Sequence, residues 1–235
     1  MIFGALLAGG IGQRLGCGKP KQFLEIGGKP ILAHSIEKFL EVDDIDKLII
    51  SSPADYIEKT EELVTEYFND NSKLVVIEGG EERSDTILNS IRWALNNGAD
   101  EDSVMVTHDA ARIFVTPQLI KDSIRYAKEY GAASPVIPAT DVIFKSTTPN
   151  ELESIPLRKF LYHSQTPQSF NIDKYLTIYN DLSYGEKKLL DEAMILFNLR
   201  NEPVYLFDGD SNNFKITRPF DITLAETILM DDIDE

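Results

Sequence analysis

IFGALLAGGIGQRLGCGKPKQ, residues 2–22, decides what kind of fold this chain has. Its first six residues, Ile2 to Leu7, form an uninterrupted apolar run, the pattern of a strand buried on both faces. The glycines that follow carry no Cβ, so backbone amides can approach phosphate oxygens closely. Two standard phosphate loops fail on spacing. A Walker A loop needs a glycine where Gln13 stands and a Ser or Thr where Pro20 stands. A dinucleotide fingerprint needs its third glycine one residue before Gly16, and a helix directly after it. What remains is a glycine turn followed by Arg14, Lys19 and Lys21, with no acid among them, in a chain of formal net charge −16. Cations grouped in this way neutralise a triphosphate and stabilise charge that develops in phosphoryl transfer. The bland alternative is a glycine turn with solvated basic residues.

Reading outward, strands and helices alternate. The patterns predict a helix from Pro30, a strand over 47–50, a helix over 55–68 and a strand over 74–77. A helix over 85–96 with Ser84 as N-cap, a strand over 104–107, a helix over 117–130 and a strand over 133–137 follow. That rhythm argues for an α/β fold with a mostly parallel sheet covered on both faces. It breaks over about 140–165, where two short strand-like pieces flank a polar turn. This predicts a projecting β-arm inserted in a single domain spanning 1–235. Helical segments over 172–180 and 187–198, strands over 204–207 and 214–217, and a closing helix from Pro219 complete the chain. The acidic tail DDIDE is expected to fray.

Composition narrows the function. A net charge of −16 and a pI near 4.6 repel nucleic-acid backbones and anionic membranes, so no nucleic-acid or membrane partner is expected. Cys17 is the single cysteine, which rules out an intrachain disulfide and suits a reducing, cytoplasmic location. The opening MIFGALLAGG lacks the basic start and cleavage site of a signal peptide and is too short to span a bilayer.

Three further segments carry chemistry. GGEERSDTI (residues 79–87) reads either as a turn with a helix cap or as a base or ribose contact made by Gly80, Arg83 and Thr86. VTHDAAR (residues 106–112) places Asp109 at the carboxyl end of a strand, where a carboxylate suits Mg²⁺ bridging to phosphates. His108 has no partner at ligand spacing and reads as structural, while Arg112 is left with either a phosphate or a carboxylate as partner. In FKITRPFDI (residues 214–222), Lys215 sits in an apolar run, an expensive place for a charge unless it meets an anion. A lysine on a surface edge is the alternative.

Taken together, LAGGIGQRLG with PKQFL, GGEERSDTI, THDAAR, SQTPQSF and FKITRPFDI resemble the cytidylyltransferases that activate polyol phosphates. That family includes 2-C-methyl-D-erythritol 4-phosphate cytidylyltransferase and ribitol-5-phosphate cytidylyltransferase. The match runs in order from residue 3 to about residue 226. The resemblance implies a Rossmann-like nucleotidyltransferase (GT-A-like) three-layer sandwich, CTP with Mg²⁺, and attack of an acceptor phosphate on the α-phosphorus with loss of pyrophosphate. By position in the resembling family, Arg14 and Lys21 would grip the triphosphate and steady the transition state, and Lys215 would face the reacting phosphates. Leu7, Ala8, Gly9, Gly10 and Gly12 cradle phosphate and cytosine, and Gly80, Arg83 and Thr86 contact the base and its surroundings. Asp109 binds ribose or metal with Ala110 beside it. The resemblance also implies that Arg158 holds the acceptor phosphate, with Asp141 and Val142 at the acceptor-binding positions, and that the arm crosses to a second copy in a homodimer.

The chain departs from the pattern in places. Val142 stands where a threonine is usual, Ile113 replaces a proline, and LDEA (residues 190–193) replaces a commoner Thr-Asp pair. The run SIPLRKFLYHSQTPQSFNI leans toward ribitol 5-phosphate as acceptor and a role in teichoic acid or another cell-wall polymer. ITRPFD leans toward methylerythritol phosphate and isoprenoid precursors, which is the alternative. The reading carried forward is transfer of CMP from CTP to D-ribitol 5-phosphate. A dinucleotide-binding oxidoreductase, the rival from another class, lacks its glycine fingerprint. A nucleotide-binding protein without catalysis would be stabilised by CTP and release no pyrophosphate.

Overall fold

The computed structural model describes residues 1–9, 20–190 and 192–231. Strand β1 (Ile2–Leu7) lies at the centre of the main sheet, between β4 (Lys47–Ser52) and β6 (Val104–Asp109), parallel to both. Its side chains alternate. Ile2 and Leu6 enter one core layer and Phe3 and Ala5 the other, all buried, which is why the strand reads as a continuous apolar run. Gly4 lets β1 pack closely, because a Cβ there would lie 2.6 Å from Leu48 Cδ1. Beyond β4 comes parallel β5 (Leu74–Glu78) at one edge of the sheet.

On the other side, β9 (Gln168–Asn171) runs antiparallel between β6 and β7 (Ala132–Pro138), and parallel β10 (Tyr205–Asp208) closes that edge. β8 (Tyr162–Ser164) pairs antiparallel with the end of β7. A two-stranded hairpin, β2 (Glu25–Ile26) with β3 (Lys29–Pro30), lies outside the sheet. The mostly parallel α/β sandwich expected from the alternation is therefore the observed fold.

Helices cover both faces. On one lie α1 (Ile31–Leu40), α2 (Ile57–Phe68) and α4 (Pro117–Tyr130), packed through Ile36, Phe39, Leu63, Ile120 and Ile124. On the other lie α3 (Arg83–Asn96), α5 (Ile172–Asp181) and α7 (Ala193–Leu199), through Ile87, Ile91, Tyr175 and Phe197. Local chemistry sets several ends. Thr116 Oγ1 accepts from Leu119 N at 3.2 Å, Pro117 opens α4, and Gly131 closes it at φ +87. Among the described residues no helix is long and apolar enough to cross a membrane.

Several expected elements differ. Helix α3 begins at Arg83 rather than Asp85, and Glu82 is its N-cap in place of Ser84. The Asp85 carboxylate accepts from Glu82 N at 3.2 Å, which pulls the first turn back toward the glycines. Of the helix expected over 187–198 only the second half forms, as α7, and a separate short helix α6 (Tyr184–Lys187) ends where the expected one was to begin. Ser183 and Glu186 cap α6, and extended backbone at Glu192 (φ −138) interrupts before α7. β9 stands where no strand was expected, four residues with too few alternations to read. The predicted strand over 214–217 is irregular chain, followed by α8 (Pro219–Asp231). The tail positions 232–235 lie outside the described residues.

The arm leaves the sheet after β7. Residues 141–155 are exposed throughout, and its two legs meet at isolated bridges, Lys145 with Ser154 and Thr148 with Glu151, rather than in a ladder. Its second leg returns to the sheet as β8, before Gln165, which is buried.

Phe170 ties β9 into the core: it is fully buried and stacks on Tyr175 with ring centroids 4.5 Å apart. Phe170→Ala is expected to cost about 3–5 kcal/mol, measured as a lower urea midpoint at unchanged m-value.

Candidate active site

The parallel strands β1, β4, β5 and β6 deliver their carboxyl ends to one edge of the sheet, where Leu7 sits beside Asp109 on one flank and Ser51 on the other. Open α/β sheets bind ligands at that edge. Here it carries a cleft of about 430 Å³.

The end of β6 is fixed by side chains. Asp109 N donates to Thr166 Oγ1 at 3.1 Å, and Thr166 Oγ1 lies 2.9 Å from His108 Nδ1. The Arg112 carbonyl can only accept, so His108 Nε2–H donates to it at 3.0 Å, and in the neutral ring Nδ1 accepts from the Thr166 hydroxyl. Burial pushes His108 down to about 4, so the ring is neutral at physiological pH. The histidine is a bracket between two turns. Ser35 Oγ donates to Ala110 O at 2.8 Å and ties the same loop to α1.

Asp109 itself is nearly buried and ringed by cations. Arg83 Nη2 lies 3.3 Å from one carboxylate oxygen, and Lys215 Nζ and Arg112 Nε lie 2.9 and 3.6 Å from the other. Burial alone would raise this carboxyl. Arg83 and Lys215, with Arg112 behind them, outweigh it and hold the group far below the ordinary carboxylate range. Arg83 enters from the first turn of α3, Arg112 from the turn closing β6, and Lys215 from the irregular chain before α8. Three cations against one anion leave the cluster positive, the condition a triphosphate needs.

Gly80 shapes the floor: its N–H donates to Thr86 Oγ1 at 3.0 Å, and a Cβ there would fall 2.2 Å from Asp85 Cβ. Lys21 reaches the cleft from a turn of 3₁₀ helix over Lys21–Phe23.

Of the residues singled out in the sequence, Leu7, Gly9, Lys21, Gly80, Arg83, Thr86, Asp109 and Lys215 border this one cleft. Ala8 and Ala110 are buried beside it, and Ala111 takes the lining position expected of Ala110. Gly10, Gly12 and Arg14 lie outside the described residues. Asp141, Val142 and Arg158 do not join the cleft. They are exposed on the arm, where Arg158 Nη1 donates to Thr140 O at 2.9 Å.

The sequence reading missed Glu81, Glu82 and Ala111 in the lining, and the support given by Thr166 and Asn213. SQTPQSF pointed to the 166 turn without assigning a role to any residue in it. Asn213 had no signal, because its partners are distant in sequence. Among the described residues no three His, Cys, Asp or Glu side chains gather as a metal cage. Asp109 supplies one carboxylate inside a cleft lined for phosphates, which fits Mg²⁺, an ion that keeps waters and phosphate oxygens among its ligands.

The family model for 2-C-methyl-D-erythritol 4-phosphate cytidylyltransferase matches residues 2–231. The chain belongs to this family. It is accordingly a nucleotidyltransferase that uses CTP.

Similar solved structures include 4-diphosphocytidyl-2C-methyl-D-erythritol synthase from Anaerococcus prevotii, 22% identical, with TM-score 0.80, covering 98% of this chain and 96% of that one. The 2-C-methyl-D-erythritol 4-phosphate cytidylyltransferase from Thermus thermophilus is 24% identical, with TM-score 0.73 and coverage of 97% and 98%. That from Francisella tularensis is 21% identical, with TM-score 0.79 and coverage of 96% and 98%. At these identities the likeness establishes a shared fold. The leaning toward ribitol 5-phosphate is not supported by the family match, which carries the methylerythritol description instead.

His108 gives the cytidylyltransferase a defined acid sensitivity. Its value falls from 6.5 to about 4 on folding, so the stability it contributes is complete above pH 6.5 and is lost as pH falls toward 4. Across that window the unfolded chain takes up a proton the folded chain refuses, a loss of about 3 kcal/mol. Urea unfolding at pH 7 and 4.5 should show a steeper loss for the wild type than for His108→Gln. Equal slopes would show that the ring is not held neutral.

Proposed function

We propose that this enzyme transfers CMP from CTP to 2-C-methyl-D-erythritol 4-phosphate, forming the CDP-alcohol and pyrophosphate on the way to isoprenoid precursors. The observation that carries the reading is the family match over residues 2–231, together with a cleft lined by Lys21 in which Arg83 and Lys215 flank one buried carboxylate. An oxygen of the acceptor phosphate attacks the α-phosphorus in line. The bond from that phosphorus to the bridging oxygen breaks, and pyrophosphate leaves with the electron pair. No protein nucleophile is needed, because both partners arrive charged and the barrier is one of placement and repulsion.

Lys21, with Arg14 seven positions before it in the sequence, grips the triphosphate, and Lys215 meets charge where it develops. Gly80 and Thr86 receive the base side of the nucleotide. Mg²⁺, held by Asp109 and by phosphate oxygens, would supply further neutralisation of the triphosphate.

The acceptor's phosphate needs a cation, and Arg158 is the residue whose position in the family pattern matches that role. Arg158, Asp141 and Val142 stand on an arm that also exposes Phe144, Leu157 and Phe160 at 64%, 65% and 68%. An arm so apolar is marginal alone in water, and burial against a second copy brings Arg158 to the neighbour's cleft. On this reading the enzyme is a homodimer with shared sites.

Pyrophosphate release with CTP, Mg²⁺ and either acceptor tests the substrate. Methylerythritol phosphate is expected to turn over faster, and a higher kcat/KM for ribitol 5-phosphate would overturn the assignment. Lys21→Ala should lower kcat by about 100- to 1,000-fold while affecting the KM for CTP far less. Mixing the inactive variants Lys21→Ala and Arg158→Ala under subunit exchange should restore activity, since one site of each mixed dimer escapes both lesions. A mixture that stays inactive despite exchange would return Arg158 to its own subunit.

A further inference from the structure

Arg83 is placed by a helix, and Arg112 by a turn in which its N–H donates to Asp109 O at 2.9 Å. Lys215 has no comparable support. Residues 214–217 pair with no strand among the described residues, and the one backbone bond there runs from Ile216 N to Ala111 O at 2.9 Å. Yet Lys215 Nζ stands 2.9 Å from Asp109. A lysine has a long, flexible stem, so a chain that holds its ammonium in one place must fix the backbone on both sides of it.

On the carboxyl side, Asp221 does this. Its Oδ2 accepts from Thr217 N at 2.7 Å, Arg218 N at 2.8 Å and Thr217 Oγ1 at 3.0 Å.

On the amino side stands Asn213, fully buried. Its side-chain Nδ2 donates to Thr166 O at 2.8 Å. Its backbone carbonyl accepts from Arg112 Nη1 at 2.8 Å and from Gln165 Nε2 at 3.4 Å. We propose that Asn213 is a positioning residue for Lys215, locking the chain just before it to the two turns that also fix Asp109 and Arg112. Thr166 joins the two halves: its hydroxyl receives the Asp109 N–H and its carbonyl receives the Asn213 amide. Lys215 and Asp109 are thereby referred to one frame, although 106 positions separate them.

The buried Asn213 side chain directs its amide hydrogen to the Thr166 carbonyl, and that bond fixes where the chain before Lys215 runs. Small displacements of a charge aimed at a transition state are expensive in rate.

The inference rests on Lys215 acting at the reacting phosphates, so Lys215→Ala is measured alongside. Asn213→Asp keeps the shape and turns an acceptor toward the Thr166 carbonyl, and Asn213→Ala removes the group. At temperatures well below unfolding, both should lower kcat by roughly 10- to 100-fold while the KM for CTP moves less than about threefold. Retention of kcat within about twofold in a folded variant overturns the proposal, as does a parallel change of kcat and KM. If Lys215→Ala itself keeps a normal kcat, the role given to Lys215 fails and the role of Asn213 with it. An impaired Lys215→Ala beside normal Asn213 variants removes Asn213 alone.

Discussion

A carboxylate taken almost out of water at the end of a central strand must be compensated, and the architecture around Asp109 follows from that requirement. Isolated burial of the charge would cost many kcal/mol, and the group would protonate instead. Arg83, Lys215 and Arg112 keep it ionised at distances of 3.3, 2.9 and 3.6 Å. They arrive from segments far apart in the chain, so the cluster exists only when β6, α3 and the segment before α8 are assembled together. In return the anion holds three mutually repelling cations in one place before any substrate arrives. Their combined charge exceeds that of Asp109, and the excess is what a nucleoside triphosphate can satisfy.

The same cluster concentrates positive charge at one point of a chain of net charge −16. Acids spread over the surface discourage polyanions at large. Positive charge at one sheet edge, backed by buried apolar layers, focuses attraction on a small phosphate ligand. The support beneath it is mainly neutral: a threonine hydroxyl, a histidine kept uncharged by burial, and an amide from Asn213. Neutral hydrogen bonds fix geometry without changing the charge balance that binding depends on.

The arm obeys a different constraint. Its legs touch at two isolated bridges and expose large apolar side chains. Its own contacts are polar, the Lys145–Glu153 ion pair and the Ser146 hydrogen bonds among them, and they bury little apolar surface, in contrast to the sandwich, whose elements bury one another on both sides of the sheet.

Much of this was legible in the sequence where chemistry is local. The apolar run 2–7, the alternation of strand and helix periods, and the caps around Pro117 and Gly131 reflect nearest-neighbour sterics and burial on two faces, which a linear pattern records. Glycines before a strand-end acid, and cations in an acidic chain, likewise marked most of the cleft. Tertiary structure decided what depends on partners distant in sequence. The strand at 168–171 exists because β6 and β7 both offer it hydrogen bonds. The run 214–217, apolar enough to read as a strand, has no neighbour to pair with and is held by side chains instead. Asp109 could be named from its position, but the three cations that keep it ionised, and the asparagine and threonine that aim them, meet only on folding. A hydrogen bond or an ion pair between residues 50 or 100 positions apart leaves no periodicity behind.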